Sequence, residues 1–301
     1  MTAQFEATVK ADIERLLPMV EPALLAPLSG GEAPVIRESM RYSLEAGGKR
    51  VRPVLCLLAA ESFGGRIESA LPCAVALEYV HTYSLVHDDL PAMDNDDLRR
   101  GKPTNHKVFG EGQAILAGDG LLTEAFGILA RDSTLLPQQK IEAMGTLAEA
   151  AGWLGMAGGQ SLDLEGEGLE KSGQPYGLEQ LQLIHRLKTG ALLRASLELG
   201  GIAAGADDGG RKTLREAGES LGLAFQIMDD ILDATSTVDV MGKSVGKDDK
   251  NGKITYPKLL GLDMAKKALF DATERAICKL QQTPNPQSLI AWARYLSARA
   301  N

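Results

Sequence analysis

Twice in this chain an apolar run of helical period ends in a cluster of aspartates. The first holds Asp88, Asp89 and Asp94, in HDDLPAMD, and the second Asp229, Asp230 and Asp233, in MDDILD. Asp229 and Asp233 are four apart and share a helix face, about 6 Å apart along the axis. At that distance two like charges repel by roughly 3 kcal/mol at an effective dielectric of 20. A hard divalent cation removes the penalty, and an all-carboxylate oxygen set with room for water suits Mg²⁺. In the first cluster Pro91 must break the helix, which lets Asp94 curl back toward Asp88. Asp163, in GGQSLDLEGEG, is a third acidic candidate beside Gln160.

The remainder of the chain reads as helix. Residues 71–90 have Pro72 at the start and apolar residues Val75, Leu77, Val80 and Leu85 at helical spacing. Further helical segments are 111–131, 138–157, 178–200, 211–234, 258–281 and 288–299. Aromatics are only 5% and alternating β-branched runs are lacking, so strands are not expected. Glycine and proline mark the breaks at 64–65, 91, 101–103, 166–173, 205–210, 242–252 and 284–286. None of these is a convincing interdomain linker. The expectation is one all-α domain over 1–301, a bundle of about ten helices around a central cavity.

Forty acidic against 32 basic residues give a formal charge of −8, which argues against nucleic acid as the main partner. It leaves room for an anionic substrate, which responds to the local field. Cys56, Cys73 and Cys278 are far apart and form no CxxC pair, so buried reduced thiols are expected. The N-terminus has no signal-peptide core, and no apolar run approaches the ~20 residues of a membrane span. A cytoplasmic protein is the expectation.

Carboxylates that hold Mg²⁺ usually share it with substrate phosphates, so basic groups belong nearby. Arg99 and Arg100 follow the first cluster. Lys243, Lys247 and Lys253 follow the second. In GGKRVRP a glycine pair, Gly47 and Gly48, runs into Lys49, Arg50 and Arg52. Glycines there let backbone N–H groups approach an anion. His81 lies two helical turns before Asp88 on the same face, and Lys188 and Thr189 sit inside a helical stretch.

In this order the motifs resemble the trans (all-E) isoprenyl diphosphate synthases over nearly the whole chain. The supporting segments are GGKRVRP (47–53), DDLPAMD (88–94) with RRGKPT (99–104), GGQSLDL (158–164), LKTG (187–190), FQIMDDILD (225–233) and GKSVGKDDKNGKITYPKL (242–259). The four-residue spacer within DDLPAMD is that of the bacterial short-chain, farnesyl diphosphate synthase type. The resemblance implies Mg²⁺ as cofactor, about three ions per site, with Mn²⁺ the alternative. Its ligands would be Asp88, Asp89 and Asp94 on one wall and Asp229 and Asp233 on the other, with Asp163 contributing. The allylic diphosphate would be held by Arg99, Lys188, Gln226, Lys243 and Lys253. Gly48, Lys49, Arg52, His81 and Arg100 would hold isopentenyl diphosphate, and Arg299 would close over it. Lys188, Thr189, Gln226 and Arg99 would carry the catalysis. A homodimer is also implied, with 111–131 and 138–157 as candidate interface helices.

Product length turns on the residues one turn before the aspartates. Tyr83 is expected to stop elongation while the small Ser84 leaves room for a C10 substrate, giving farnesyl diphosphate (C15). Geranylgeranyl or geranyl diphosphate synthesis is the alternative in the same chemistry. A terpene cyclase would need neither GGKRVRP nor the arginine pair, and a non-catalytic partner subunit would tend to lose aspartates that this chain keeps.

Overall fold

Helix α4 (Ile67–Asp88) carries the first apolar run, and α1 (Thr2–Leu25), α3 (Val51–Ser62), α6 (Glu111–Arg131) and α10 (Ala191–Ala203) pack around it. Its buried residues point in every direction, which is why its sequence is apolar all round. The computed structural model describes residues 2–171, 177–235 and 254–298. The other helices are α2 (Pro34–Leu44), α5 (Asn105–Phe109), α7 (Pro137–Ala151), α8 (Met156–Lys171), α9 (Leu178–His185), α11 (Asp208–Thr235), α12 (Tyr256–Leu260), α13 (Leu262–Leu280) and α14 (Gln287–Ser297). The expected all-α bundle of about ten helices is therefore present. One large apolar core joins α1–α4, α6, α7, α10 and α14. A smaller core, with Leu181, Ile227, Ile231, Tyr256 and Leu269, sits between α9 and α11–α13.

The structure departs from the sequence reading at several places. The segment 138–157 is two helices, broken by a turn at residues 152–155. The break expected at 166–173 does not begin there, because α8 continues to Lys171. Earlier in α8 a side chain at Gly159 would bring its Cβ within 2.2 Å of the Lys188 backbone nitrogen, so glycine there serves close packing. The segment 178–200 is interrupted by a π-helical turn, Arg186–Gly190, between α9 and α10. The arginine pair lies on a two-stranded hairpin, β1 (Leu98–Arg99) and β2 (Lys102–Pro103). Its tip, Arg100 and Gly101, has φ of +53° and +76°, the sign pattern of a tight type I′ turn. Cys56 and Cys73 are free and buried as expected, whereas Cys278 is exposed.

Helix α6 corrects a second expectation. By length and composition it is apolar enough to cross a membrane, with a mean hydropathy of 1.2 over its best window, a third of which is buried in the molecule. It packs on α4 and α2 through Ala114, Ala117, Gly118, Leu121, Ala125 and Leu129. Ile115 and Leu116 on its other side are about half exposed, and Leu136 and Ile141, near and on α7, are more so.

Arg50 fixes the start of α3. Its backbone is left-handed (φ +45°) and its side chain is buried. The guanidinium donates to Glu21 of α1 (2.9 and 3.1 Å), to Glu78 of α4 (2.8 Å) and to the Leu44 carbonyl ending α2 (2.6 Å). Four helices thus meet on one cation. Replacing it leaves the Glu78 carboxylate, 2% exposed, without that partner. Arg50→Met is expected to lower unfolding free energy by about 3–5 kcal/mol. Urea titration checks this, and a loss below about 1 kcal/mol would contradict it.

Candidate active site

Pro91 has no N–H and disfavours helix in Leu90, so α4 stops at Asp88. The chain then folds back: the Asp94 N–H donates to the Asp88 carbonyl at 2.9 Å, and the Asp96 N–H to the Asp89 carbonyl at 3.2 Å. The expected curl of Asp94 toward Asp88 is there. The two neighbouring aspartates differ in surroundings. Asp88 lines a cavity of about 500 Å³. Asp89 is buried behind it, gripped by Arg99 through three N–O contacts of 2.6–2.8 Å. Arg99 also approaches Asp96 at 3.9 Å. Burial works against the Arg99 charge, but the hydrogen bonds it donates to Asp89, and that carboxylate's charge, outweigh it and push its pKa up. Asp89 and Arg99 are brought to each other, and neither lines this cavity.

The cavity runs along α4 past His81, Tyr83, Ser84 and His87 to Asp88. Tyr83 is 9% exposed, meets His87 edge-on at 5.8 Å, and burial pushes its phenol up to about 12. The Ser84 hydroxyl donates to the His81 carbonyl at 2.9 Å. Across from α4 lie Lys188 and Thr189 of the π-helical turn, a feature that recurs at functional sites because it re-aims side chains. Lys188 Nζ sits 2.6 Å from Asp163 Oδ2 on α8. Thr189 donates to Gln226 Oε1 at 2.8 Å, which ties the turn to α11. One turn further along α11 are Asp229 and Asp233, both half-buried, and Asp230, which faces inward and is buried.

The basic residues gather at one side of the cavity. Arg52 and His81 line it. Arg100 reaches over from the hairpin tip to Gly48, where a Cβ would stand 2.5 Å from its guanidinium. Gly48 (φ +138°) is therefore required both by its backbone and by that approach. Lys49 is exposed beside it. Burial is the main cause that lowers the pKa of Arg52 and of Arg100, and in each case another arginine adds to it. Burial, then Arg52, Arg100, Arg99 and Arg50, hold the His81 imidazole well below its ordinary value. It is neutral at pH 7. Arg52 Nε is buried with no hydrogen-bond partner among the described residues. The acidic side has the opposite imbalance. Burial pushes the Asp88 carboxyl up to about 6, with Asp94 and Asp89 adding to it and Lys188 and Arg99 opposing it.

No three acidic, histidine or cysteine side chains converge as a ready metal cage among the described residues. The oxygen donors present still fit Mg²⁺, an ion that keeps waters and takes one or two carboxylates plus phosphate oxygens. Asp88, with its elevated carboxyl, is the donor whose charge such an ion would relieve. Lys243, Lys247, Lys253 and Arg299 lie outside the described residues. Sequence reasoning missed Met156, Ala157 and Gln160, which line the cavity from α8. Their spacing with Asp163 marks one helical face, a signal hidden by the glycines. It also missed His87 and Ile115, whose carbonyl lies 3.0 Å from His87 Nε2.

The charge on Asp88 has a measurable cost in metal-free protein. A carboxyl raised from 3.8 to about 6 binds its proton more tightly when folded, so stability falls as pH rises between those values. Asp88→Asn, in chelator, is expected to be more stable than the parent by about 2 kcal/mol above pH 6.5, with the difference vanishing near pH 4. A pH-independent difference in urea titrations would contradict the burial argument.

The chain matches the family described as "Polyprenyl synthetase" over residues 33–290. It is 48% identical over 286 residues to geranylgeranyl pyrophosphate synthase 7, chloroplastic, of Arabidopsis thaliana, covering 94% of this chain and 81% of that one. It is 50% identical over 260 residues to the farnesyl diphosphate synthase of Geobacillus stearothermophilus, covering 85% and 86%. Among solved structures it superposes on a geranylgeranyl pyrophosphate synthetase from Pyrococcus horikoshii with a TM-score of 0.88 at 31% identity, covering 98% and 99%. The likeness is thus not confined to the bacterial farnesyl type that the spacer suggested.

Proposed function

The chain belongs to the polyprenyl synthetase family and is a trans-prenyltransferase acting on isoprenoid diphosphates; from that premise we propose that it joins isopentenyl diphosphate to dimethylallyl and geranyl diphosphates. The observation that carries this is the division of charge around one cavity. Arg52 lines one side of it, with Arg100 close enough to bear on its charge, and a raised Asp88 carboxyl stands at another.

In this reading Asp88 at the end of α4, Asp94 in the turn that follows it, and Asp229 and Asp233 of α11 would hold Mg²⁺. When bound, Mg²⁺ supplies the positive charge that makes the allylic diphosphate a leaving group. Asp89 acts on the site by holding Arg99 at the cluster. Lys188, kept in place by Asp163, faces the departing diphosphate. Gly48, Lys49, Arg52, His81 and Arg100 hold isopentenyl diphosphate. Neutral His81 serves as a hydrogen-bond partner there without adding to the crowd of cations. As the allylic C–O bond breaks, the terminal carbon of the isopentenyl double bond attacks the electron-poor carbon; the positive charge passes to the tertiary isopentenyl carbon, and the adjacent isopentenyl CH₂ gives a proton to the released diphosphate as the new double bond forms. Thr189 turns its oxygen toward the positive charge, its hydroxyl proton held by the Gln226 carbonyl. The apolar lining, with Leu85, Leu90 and Met156, keeps water from quenching it. The exposed apolar residues of α6 and α7 suit contact with a second copy, in keeping with a homodimer.

Product length has two readings, each with its own support. Tyr83, packed against His87 beside the small Ser84, favours a stop at C15. The names of most of the similar proteins given above favour C20. With purified protein, labelled isopentenyl diphosphate and C5 or C10 allylic partners, chromatography is expected to show a C15 product only when Mg²⁺ is present. A C20 product from the unaltered chain would select the second reading. Tyr83→Ala is expected to shift the product to C20 or longer, and an unchanged C15 product would remove Tyr83 as the stop.

Asp88→Ala and Asp229→Ala are each expected to lower kcat by about a hundredfold or more while leaving the helical circular dichroism unchanged. Near-normal turnover in either variant would contradict the metal assignment.

A further inference from the structure

Asp230 stands apart from its neighbours in the second cluster. It is 4% exposed, and each of its oxygens meets a nitrogen donor. Oδ1 accepts from Gln226 Nε2 at 3.2 Å, and Oδ2 accepts from the backbone N–H of Tyr256 at 3.0 Å. His185, stacked on the Tyr256 ring, approaches Oδ2 only to 3.7 Å. Gln226 then passes the chain on: its Oε1 accepts from the Thr189 hydroxyl at 2.8 Å. Thr189 lines the cavity.

The direction of every bond in this chain is forced from one end. A backbone N–H only donates and cannot turn round, so it claims one Asp230 oxygen. The other oxygen of a carboxylate is also an acceptor, so Gln226 must present its NH₂ to it. Its carbonyl therefore faces Thr189. A carbonyl has no proton to give, so Thr189 must donate, and its lone pairs are left for the cavity.

We propose that Asp230 is a positioning residue that sets the polarity of this chain, so that Thr189 presents lone pairs rather than its proton to the positive charge growing on the allylic carbon. The inference rests on the prenyl-transfer reading and adds to it a role for the aspartate that faces away from the substrate. A fixed dipole aimed at developing charge lowers the barrier without reorganising during the reaction.

Asp230→Asn keeps the shape and reverses the logic. The asparagine oxygen goes to Tyr256, its NH₂ faces Gln226, the Gln226 amide turns over, and Thr189 must accept. The Thr189 proton then points into the cavity. The expected result is a kcat reduced roughly ten- to a hundredfold, with KM for both substrates and the melting curve unchanged. In a Thr189→Val background the same substitution is expected to change kcat by less than about twofold, because the dipole it controls is gone. An equal loss in both backgrounds, or no loss in the first, would overturn the proposal.

Neutron diffraction from a deuterated crystal of the unaltered chain reads the same claim without a variant and without turnover. Deuterium is expected on Thr189 Oγ1 toward Gln226, and two deuterons on the Gln226 nitrogen facing Asp230. The opposite amide orientation would overturn it. A chain that shows this orientation yet transfers no prenyl group would instead sink the reaction reading.

Discussion

Asp88 ends a helix that the rest of the bundle wraps, and there burial works against its charge while Asp94 is turned back toward it by the break at Pro91. Along the same helix, His81 is kept neutral by burial and by four arginines. One element therefore carries unmatched negative charge near its end and borders unmatched positive charge two turns earlier. Packing alone would favour neither. In the proposed reading two diphosphates would answer them: an allylic one, bound through the metal ion, at the carboxylates and isopentenyl diphosphate at the guanidiniums. The remaining architecture serves to hold those two imbalances at a fixed separation around an apolar hollow.

Much of the scaffolding is done by residues whose chemistry looks functional and is used structurally. Arg50 lies in the basic GGKRVRP stretch, yet its guanidinium is spent on Glu21, Glu78 and the end of α2. Asp89 and Arg99 lie in the acidic and basic motifs and bind one another. Asp230 lies in the second acidic motif and caps the start of α12 through Tyr256 while holding Gln226. In each case the buried charge stands behind a residue that lines the cavity: Arg52 two residues on from Arg50, Asp88 beside Asp89, and Thr189, tied to Asp230 through Gln226.

That division of labour marks the limit of what could be read from the sequence. The all-α fold, the break at Pro91 and the return of Asp94 follow from local rules of period, proline geometry and like-charge repulsion, whereas the grouping of Arg52, Arg100 and His81 is implied by the family resemblance. The side of a helix on which a neighbour packs follows from neither. Spacing places Asp229 and Asp233 on one face, but only α9, α12 and α13 decide that Asp230 is covered. The π-helical turn that aims Lys188 and Thr189 has no composition signal, since an extra residue in a helix costs little locally and is stabilised by the Gln226 and Asp163 contacts. The reason for Gly159 in α8, the close approach of the Lys188 backbone, is tertiary and leaves no mark in the local sequence.

The most direct test is a crystal structure of the protein soaked with Mg²⁺ and a thio-substituted allylic diphosphate that does not ionise. The account predicts metal density between the Asp88–Asp94 turn and Asp229 of α11, sharing diphosphate oxygens, with the Arg52–Arg100 side left for the second substrate. Diphosphate bound without metal at the arginines alone, with the two acidic groups facing solvent on separate sides, would contradict it.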